Sequence, residues 1–489
     1  MSVDPITLRV VSGALRAACE EMGAVLIRAA HSANIKERRD ASCALFDPAG
    51  RMVMQAEHIP VHLGAMPAAV EAVAEERHEP GVAWVLNDPY QGGTHLPDIT
   101  VITPAFAPDG TQLGFAASRA HHADVGGTAP GSMPSDSTTL EDEGVVIPPR
   151  RLDAAAIDEL VAQMRQPAQR RADLRAQLAA NRTGVQRLQE LHARGGLQDA
   201  MAETIDYAER RMRACLAALP DGARSAHDVL EAPEGDLELK LEATVSGDEL
   251  TLDFSGSAPQ HDGNLNCPLS VTRSACWFAV RVLTDPDIPP TAGAYRPVTV
   301  IAPEGSLLNA RPPAAVVAGN VETSSRVADL VLAAFGRALG QGTMNNLTLG
   351  SHGFTYYETL GGGQGACEDS PGPSGVHVAM SNTLNTPVEA LELEFPLLVT
   401  RYAVRRGSGG KGRQAGGDGV IRELEAREEM EFSLLTERRR HGPPGANGGE
   451  PGAPGRNLLD GEELPPKASG SLRRGQRLRI ETPGGGGFG

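Results

Sequence analysis

The stretch NDPYQGGTHLPDITV, from Asn87 to Val101, joins a predicted turn to a predicted apolar strand. Its Asn, Asp, Pro and Gly residues are typical of turns, and its last residues predict a strand. His95 and Asp98 lie at the boundary, where both side chains can point into one cleft. These residues alone leave two interpretations open, a polar turn and a metal site.

The sequence on either side predicts helices that alternate with strands over residues 1–150. Apolar residues at helical spacing predict an amphipathic helix over 4–31, and a second helix is expected over 65–77. Asp4 and Pro5 suit an N-cap and a first turn. The segments DASCALFDPAGRMVMQ, VAWVLND, ITVITPAF and LGFAASRAHHADVGG predict a hairpin and further strands. We therefore expect an α/β unit that carries the candidate metal site.

Two segments of different composition follow this unit. Residues 151–222 are rich in good helix formers and predict three helices, broken near Pro167 and Gly195-Gly196. Residues 223–489 predict a mixed, β-rich domain, with short strands over 223–310, a helix near 321–339 and a glycine-rich remainder. The predicted fold class is α/β in the mixed α+β sense, with the three segments interleaved into one compact body.

Composition excludes several classes of protein. The 489 residues carry a formal net charge of −17, which disfavours binding to nucleic acid because phosphate backbones are also negative. The six cysteines form no CxxC pair and are expected to be thiols in a reducing compartment. The sequence shows neither a signal peptide nor an apolar run long enough to span a bilayer. We therefore expect a cytoplasmic protein without membrane contacts.

Candidate metal ligands occur in four segments of the N-terminal unit. The residues are Asp40 after KERR, His95 and Asp98 in the opening stretch, His121, His122 and Asp124 in RAHHADVGG, and Glu141, Asp142 and Glu143 in EDEG. Imidazole and carboxylate ligands suit a divalent ion such as Zn, Mn or Fe, which acidifies bound water. His121 and His122 point to opposite sides of a strand, so at most one of them faces a given side. We prefer His121, and His122 stays open as the alternative. Asp40 as a cap or ion-pair partner, and Asp124 as a turn cap, remain alternatives.

Two other sequence patterns bear on function. Asp173, Gln177 and Asn181 share one helix face, which lies either in solvent or against a cleft. GSGGKG at 407–412 fits a dinucleotide motif by its letters, but RQAGGDG follows and cannot open a helix. Since no other nucleotide motif and no GxSxG replaces it, we expect no ATP or other cofactor bound by these routes and find no serine nucleophile signature.

Taken together, the motifs resemble the B-type subunits of the hydantoinase/oxoprolinase family nearly from end to end. They are NIKERRDASCALFD, NDPYQGGTHLPDITV, SRAHHADVGG, DFSGSAPQHDGNLNCPLSVTRSACWF, VLTDPDIPPTAGAYRPVTVIAPEGSLLNA, GNVETSSRVADLVL, YYETLGGGQGA, SNTLNTPVEALE and TPGGGGFG. The resemblance implies a hetero-oligomer in which an A-type subunit uses ATP to phosphorylate a small cyclic amide or imide. The B-type subunit would then open the ring with metal-bound water. A subunit of a ketone carboxylase and a non-catalytic structural subunit are the alternatives.

The resemblance also implies roles for particular residues. By motif match, the metal ligands are Asp40, His95, Asp98 and His121. His122 and Asp124 would orient or hydrogen-bond a ligand from behind. Apart from the resemblance, the hydrolase hypothesis adds that Asp173 or Glu143 helps to move a proton.

Overall fold

The computed structural model describes residues 4–57 and 59–489. Within these ranges the α-helices, labelled α1 to α11, are Pro5–Ala29, Ala33–Lys36, Ala65–Ala74, Leu140–Glu143, Ala154–Val161, Pro167–His192, Leu197–Ala217, Leu269–Leu283, Ala292–Tyr295, Ser324–Ala334 and Val388–Glu394. The strands, labelled β1 to β19, are Ala41–Phe46, Met52–Glu57, Ala83–Leu86, Asp98–Phe106, Gln112–His121, Arg150–Leu152, Gly222–Ala232, Gly235–Ser246, Glu249–Asp253, Val298–Ile301, Asn346–Gly350, Thr355–Glu358, Leu397–Arg405, Gly419–Ala426, Met430–Leu435, Arg456–Leu459, Glu462–Leu464, Lys467–Leu472 and Arg477–Glu481.

The N-terminal sheet is covered on both faces. It has six strands in the order β2-β1-β5-β4-β3-β6, and every neighbouring pair is antiparallel. Alternate residues of β1 belong to different apolar clusters. Cys43 and Leu45 lie in a cluster with residues of α1 and α6. Ala44 and Phe46 lie in a cluster with residues of α3 and α8. Because both faces are buried, β1 reads as a continuous apolar run instead of an alternating one.

Three more sheets follow, and one core connects the parts of the chain. Their orders are β10-β9-β8-β7, β12-β11-β15-β18 and β13-β14-β19-β16-β17. The largest apolar cluster combines residues from the N-terminal sheet, from α7 and from the segment between 230 and 435. The expected mixed fold is therefore confirmed, and the division of the chain into three interleaved segments stays a prediction.

The sequence placed most elements of the first half correctly. Asp4 caps α1 through bonds from the backbone N–H groups of Ile6 and Thr7, as expected. The three helices of the middle segment end and begin near Pro167 and at Gly196, whose φ of 74° is left-handed. The sequence does not predict α8, because short strand patterns dominate residues 223–310 on either side of it. The helix expected near 321–339 begins with a π-helical turn, Gly319–Thr323, and continues as α10 to Ala334.

The closing GGGG segment packs backbone against backbone. A Cβ on Gly417 would lie 1.8 Å from the Pro373 carbonyl oxygen, and one on Gly485 would lie 2.0 Å from that of Gln364. Instead of side chains, hydrogen bonds join these segments: Gly417 N donates to Gln364 O at 2.9 Å, and Gly485 N to Gly417 O at 2.8 Å. Glycine is required here by the close approach of neighbouring segments.

The structure describes the state of the cysteines and the character of the longest helices. Within the ranges that it describes, the six cysteines form no disulfide bond, and Cys19, Cys43, Cys267 and Cys276 are buried. Among the described residues, no helix combines the length and the apolar character needed to cross a membrane.

Candidate metal centre

The candidate centre lies where β1 and β4 begin on either side of the end of β5. Asp98 opens β4 and is the register partner of His121, the last residue of β5. On the other side of His121, its N–H donates to Asp40 O at 3.0 Å, just before β1 begins. One turn before β4, His95 O accepts from Asp98 N at 3.0 Å. The register of the sheet thus brings together residues up to 81 positions apart, Asp40 to His121.

His95, Asp98 and His121 form a buried group in which each side chain offers one ligand atom. His95 Nε2 lies 3.2 Å from His121 Nδ1 and 3.1 Å from Asp98 Oδ1. His121 Nδ1 also lies 3.1 Å from Asp98 Oδ1, so the three atoms form a nearly equilateral triangle. All three side chains are at most 3% exposed.

This triangle fits a divalent cation. Ligand atoms about 2.0–2.2 Å from an ion lie roughly 2.8–3.6 Å from one another in octahedral or tetrahedral geometry. The observed separations of 3.1–3.2 Å fall in this range. Both imidazoles turn a nitrogen toward the same carboxylate oxygen and toward each other, an arrangement that a shared cation stabilises better than protons on both rings.

The pKa values of Asp98 and His121 are both shifted toward the protonation states that bind a cation. Burial alone would raise the pKa of Asp98, but the charge of His95 and hydrogen bonds from His121, His62 and His95 hold it well below its usual range. Burial lowers the pKa of His121, against the opposing effects of Asp98 and Asp40. An ionised carboxylate beside a neutral imidazole is the protonation state that metal binding requires.

Asp40 is a neighbour of this group but not one of its three members. It is 3% exposed, and the sheet register places it beside His121 on the side opposite Asp98. Opposite residues of antiparallel strands face the same side of the sheet, and neighbouring strands lie about 4.8 Å apart. A role for Asp40 as a further ligand stays a prediction.

Three residues that the sequence analysis did not single out contact Asp98 or support those contacts. Thr94 Oγ1 donates to Asp98 Oδ2 at 2.6 Å, and His62 Nε2 lies 3.4 Å from the same oxygen. The other His62 nitrogen, Nδ1, lies 2.9 Å from Ser42 Oγ. Thr94 directly precedes His95 and was within reach of a sequence argument, whereas His62 enters only through tertiary packing.

An aromatic ring and a buried guanidinium support His121. The Tyr357 ring stacks on the His121 imidazole with centroids 4.7 Å apart. The Arg38 guanidinium lies over the Tyr357 ring, 4.5 Å from its centroid. Arg38 is held in place by Tyr357 O at 2.6 Å and by the Thr359 and Thr383 hydroxyls at 2.8 and 3.1 Å. This stack fixes the plane of the imidazole and joins the C-terminal part of the chain to the candidate centre.

The loop that carries His95 is anchored at both ends. Asn87 Nδ2 donates to Leu96 O at 2.8 Å, and Arg119 Nη2 donates to Gly92 O at 2.8 Å. Gly92 has a φ of 96°, and a Cβ on Gly93 would lie 2.2 Å from Asn87 O. The glycines of the opening stretch therefore permit a close backbone approach at the base of the candidate site.

His122 and Asp124 have partners outside the group of three. His122 Nε2 lies 2.9 Å from Gln177 Oε1, and burial lowers the pKa of His122 to about 4. Asp124 accepts from Gly126 N at 2.8 Å and from Gly131 N at 2.7 Å, and it pairs with Arg165 at 3.0 Å. These contacts match the turn-cap alternative for Asp124, and an orienting role for either residue stays a prediction.

The polar face of α6 packs against the sheet instead of solvent. Gln177 Nε2 donates to Ile99 O at 2.9 Å, and Asn181 Nδ2 donates to Val101 O at 2.9 Å. Asp173 Oδ1 accepts from the backbone N–H groups of His31 and Ser32, at 2.8 and 3.1 Å. The contacts of Asp173 hold the chain after α1, and its role in proton transfer stays a prediction.

Glu143 is fully buried and is not one of the three members of the group. Its Oε1 accepts from Val316 N at 3.0 Å, Val317 N at 2.9 Å and Ser137 Oγ at 2.9 Å. Burial raises its pKa to about 7 in spite of these bonds and of the charge of His95. A carboxyl with this pKa can hold or release a proton at neutral pH, which is the property the predicted role requires.

His377, beside the Arg38 stack, gives a prediction for acid stability. Burial lowers its pKa to about 4, and its Nδ1 lies 2.8 Å from Ser381 Oγ. The unfolded chain binds this proton near pH 6.5 and the folded chain does not, so folding stability falls as the pH drops from about 6.5 to 4. We expect His377→Gln to remove up to about 3 kcal/mol of this pH dependence.

Denaturant titrations at pH 7.5 and 4.5 measure the effect. A His227→Gln variant is the matched control, because His227 is exposed. Equal loss of stability on acidification in wild type and His377→Gln would contradict the prediction.

Comparison with known proteins places these observations in a family. The model of the family described as Hydantoinase B/oxoprolinase matches residues 4–489. The chain is 40% identical over 531 residues to 5-oxoprolinase 1 of Arabidopsis thaliana, covering 99% of this chain and 42% of that protein. It is 39% identical over 511 residues to 5-oxoprolinase of Dictyostelium discoideum, covering 100% of this chain and 40% of that protein. The chain thus spans about two fifths of the length of these relatives.

A solved structure has the same fold. The ATP-dependent caprolactamase of Pseudomonas jessenii superposes with a TM-score of 0.93 at 29% sequence identity. The superposition covers 100% of this chain and 92% of that chain.

Proposed function

We propose that this chain, which belongs to the hydantoinase B/oxoprolinase family, supplies the ring-opening half of an ATP-dependent hydrolase of cyclic amides. The substrate is a cyclic amide or imide of the hydantoin or 5-oxoproline type. An A-type ATPase partner phosphorylates it, and this chain completes the hydrolysis. The observation that carries the proposal is the buried triangle of His95, Asp98 and His121 in a member of this family.

Three findings support a hydrolase. The two relatives are named 5-oxoprolinases, and the similar structure is named an ATP-dependent caprolactamase. All three names refer to cyclic amides. The relatives extend well beyond the region matched here, which leaves room in them for a second, ATP-using part. The sequence of this chain contains no nucleotide motif in a suitable context.

Different residues of the chain have different roles in the proposed reaction. His95, Asp98 and His121 would hold the divalent cation, with Asp40 as a further candidate. When bound, such a cation polarises a carbonyl group and lowers the pKa of water. Thr94 and His62 orient the Asp98 carboxylate, and Tyr357 with Arg38 fixes the His121 ring. Glu143, whose pKa burial raises to about 7, holds or releases a proton near neutral pH.

The test is a reconstitution of the chain with an A-type partner encoded by the same organism. Release of inorganic phosphate from ATP and appearance of the ring-opened acid are measured with hydantoin, 5-oxoproline and small lactams, with and without bicarbonate. We expect ATP-dependent ring opening that requires both chains and does not require bicarbonate.

Two results would contradict the proposal and favour its alternatives. Bicarbonate-dependent ATP consumption with a ketone would identify a carboxylase subunit. If the partner alone opens the ring, at a rate that this chain does not change, this chain has a structural role.

A further inference from the structure

The five-stranded sheet of the C-terminal part ends in an unpaired strand edge. Its order is β13-β14-β19-β16-β17, so β13 has a neighbouring strand on one side only. The register with β14 is interrupted by a bulge after Val399, and residues 401–405 then pair regularly with residues 423–419. Apart from this pairing, no group in the described part of the chain hydrogen-bonds to the backbone of residues 400–404. Their outer N–H and C=O groups are therefore available to another strand.

Exposed apolar side chains cluster beside this edge. Leu393 is 89% exposed, and the others are 45–51% exposed: Leu384, Tyr402 and Val404. The Tyr402 hydroxyl donates to Asn385 Oδ1 at 3.1 Å, which places the segment before α11 next to β13. Val399 N donates to Glu392 Oε1 at 2.8 Å, which places α11 itself there. Contiguous exposed apolar surface marks a binding site more often than a single exposed residue does.

Two cations flank the exposed part of the edge. Arg401 and Arg406 are exposed, and neither forms an ion pair with any residue that the structure describes. Arg405, between them, lies 3.5 Å from Glu481. In a chain with a formal net charge of −17, this is a local basic surface that attracts carboxylates. We call Leu384, Leu393 and residues 401–406 the β13 surface.

The β13 surface contacts residues that support the candidate metal centre. The Arg422 guanidinium lies over the Tyr402 ring, 4.8 Å from its centroid, and it pairs with Glu358 at 3.1 Å. Glu358 directly follows the tyrosine that stacks on the imidazole of the centre. Leu384 N donates to the backbone oxygen of Arg38 at 3.1 Å, and Arg38 belongs to the same stack. A protein bound to the β13 surface therefore lies against the outer side of this support.

We propose that the β13 surface is the docking site of the ATP-using partner, which adds an extended segment to the edge of β13. The segment pairs through its backbone with residues 401–404 and places alternate apolar side chains beside Tyr402 and Val404. Acidic side chains at its two ends face Arg401 and Arg406. The inference rests on the proposed function, because it names the surface that the partner of that reaction occupies.

A second copy of this chain fits the edge less well. A two-fold contact joins the same surface of both copies. Each copy would bring Arg401 and Arg406 to the contact, and like charges across paired strands are destabilising. The unpaired arginines therefore favour a partner with carboxylates.

The affinity of this chain for the purified A-type partner, measured by biolayer interferometry without ATP or substrate, tests the docking site. A Leu393→Asp/Val404→Asp variant removes apolar contacts and should weaken binding about tenfold or more. An Arg401→Glu/Arg406→Glu variant should weaken it similarly at low salt. Added salt should weaken binding of wild type and should not weaken binding of this charge variant further.

Matched variants make the result specific. Ile301→Asp is the apolar control, because Ile301 is 40% exposed on β10, the edge strand of another sheet. Arg337→Glu is the charge control, because Arg337 is exposed and lies outside the β13 surface. Both controls should bind the partner as wild type does. The thermal midpoint and the metal content should be those of wild type in all four variants.

Amide hydrogen exchange of the complex tests the strand pairing itself. Residues 400–405 should exchange more slowly in the complex than in the isolated chain, because their outer N–H groups become hydrogen-bonded. Residues 298–301 of β10 should exchange at the same rate in both.

Four outcomes would overturn the docking site. They are wild type that does not bind the partner, wild-type affinity in both double variants, unchanged exchange at 400–405, and a dimer of this chain that the double variants break while they bind the partner normally. Ring opening in the reconstituted reaction leaves the proposed hydrolase standing in each case. Conversely, a complex that forms through the β13 surface without any ring opening would remove the hydrolase and keep the docking site.

Discussion

A His95→Ala chain, combined with the ATPase partner, is expected to lose ATP-dependent ring opening by at least about 100-fold. His95 Nε2 lies 3.1–3.2 Å from both other members of the triangle, so its removal opens one corner of the cation site. Replacing even residues that only orient a metal ligand costs about 10- to 100-fold in affinity or activity, and loss of a ligand should cost at least as much. Product formation at saturating ATP and substrate measures the effect.

The control separates this loss from misfolding. His227→Ala removes an exposed imidazole and should retain the wild-type rate. Circular dichroism and the thermal midpoint of His95→Ala should show a folded chain. Full ATP-dependent turnover by His95→Ala would contradict the assignment of the site.

A Gly417→Ala variant is expected to lose more than about 3 kcal/mol of folding stability, or to fail to fold. The added Cβ would lie 1.8 Å from Pro373 O and 2.6 Å from the Pro373 carbonyl carbon, both backbone atoms that cannot rotate away. The two segments would have to separate, and the hydrogen bonds from Gly417 N to Gln364 O and from Gly485 N to Gly417 O would be lost with them. Urea denaturation followed by circular dichroism measures the free energy of unfolding.

Gly13→Ala is the matched control. Gly13 lies inside α1, and a Cβ there would meet no atom within 4 Å. Because alanine favours helix over glycine by about 1 kcal/mol, this variant should be as stable as wild type or slightly more stable. A Gly417→Ala chain with wild-type stability would contradict the close packing of the glycine segments.

Candidates that lie close together along the chain or on one strand can be selected from the sequence, and their role as metal ligands stays a prediction. His95 and Asp98 are three residues apart, and the apolar run that follows them predicts a strand. Alternation along β5 indicates only that His121 and His122 face opposite sides, and the family resemblance favours His121. The structure places His121 in the group of three and His122 against Gln177.

Contacts made by distant segments could not be predicted in this way. His62 reaches Asp98 because α3 and the turn before it pack on the sheet, and Tyr357 reaches His121 from a strand 236 residues further on. His62 lies outside the motifs quoted above, and Tyr357 lies in YYETLGGGQGA, where its residue type and spacing do not indicate a contact with a metal ligand. The polar face of α6 was equally ambiguous, since Gln177 and Asn181 bind backbone carbonyls of the sheet in a position that looks the same in sequence as a solvated face.

The most direct test of the metal centre is the metal content of the purified chain after reconstitution with Zn, Mn or Fe and removal of free ion. Wild type is compared with the His95→Ala/Asp98→Ala double variant by inductively coupled plasma mass spectrometry, with circular dichroism to confirm folding. We predict about one divalent transition metal per wild-type chain and a loss of that metal in a folded double variant. A wild-type chain that binds no metal with any of the three ions would contradict the account, and the stretch GGTHLPD would then be a polar turn.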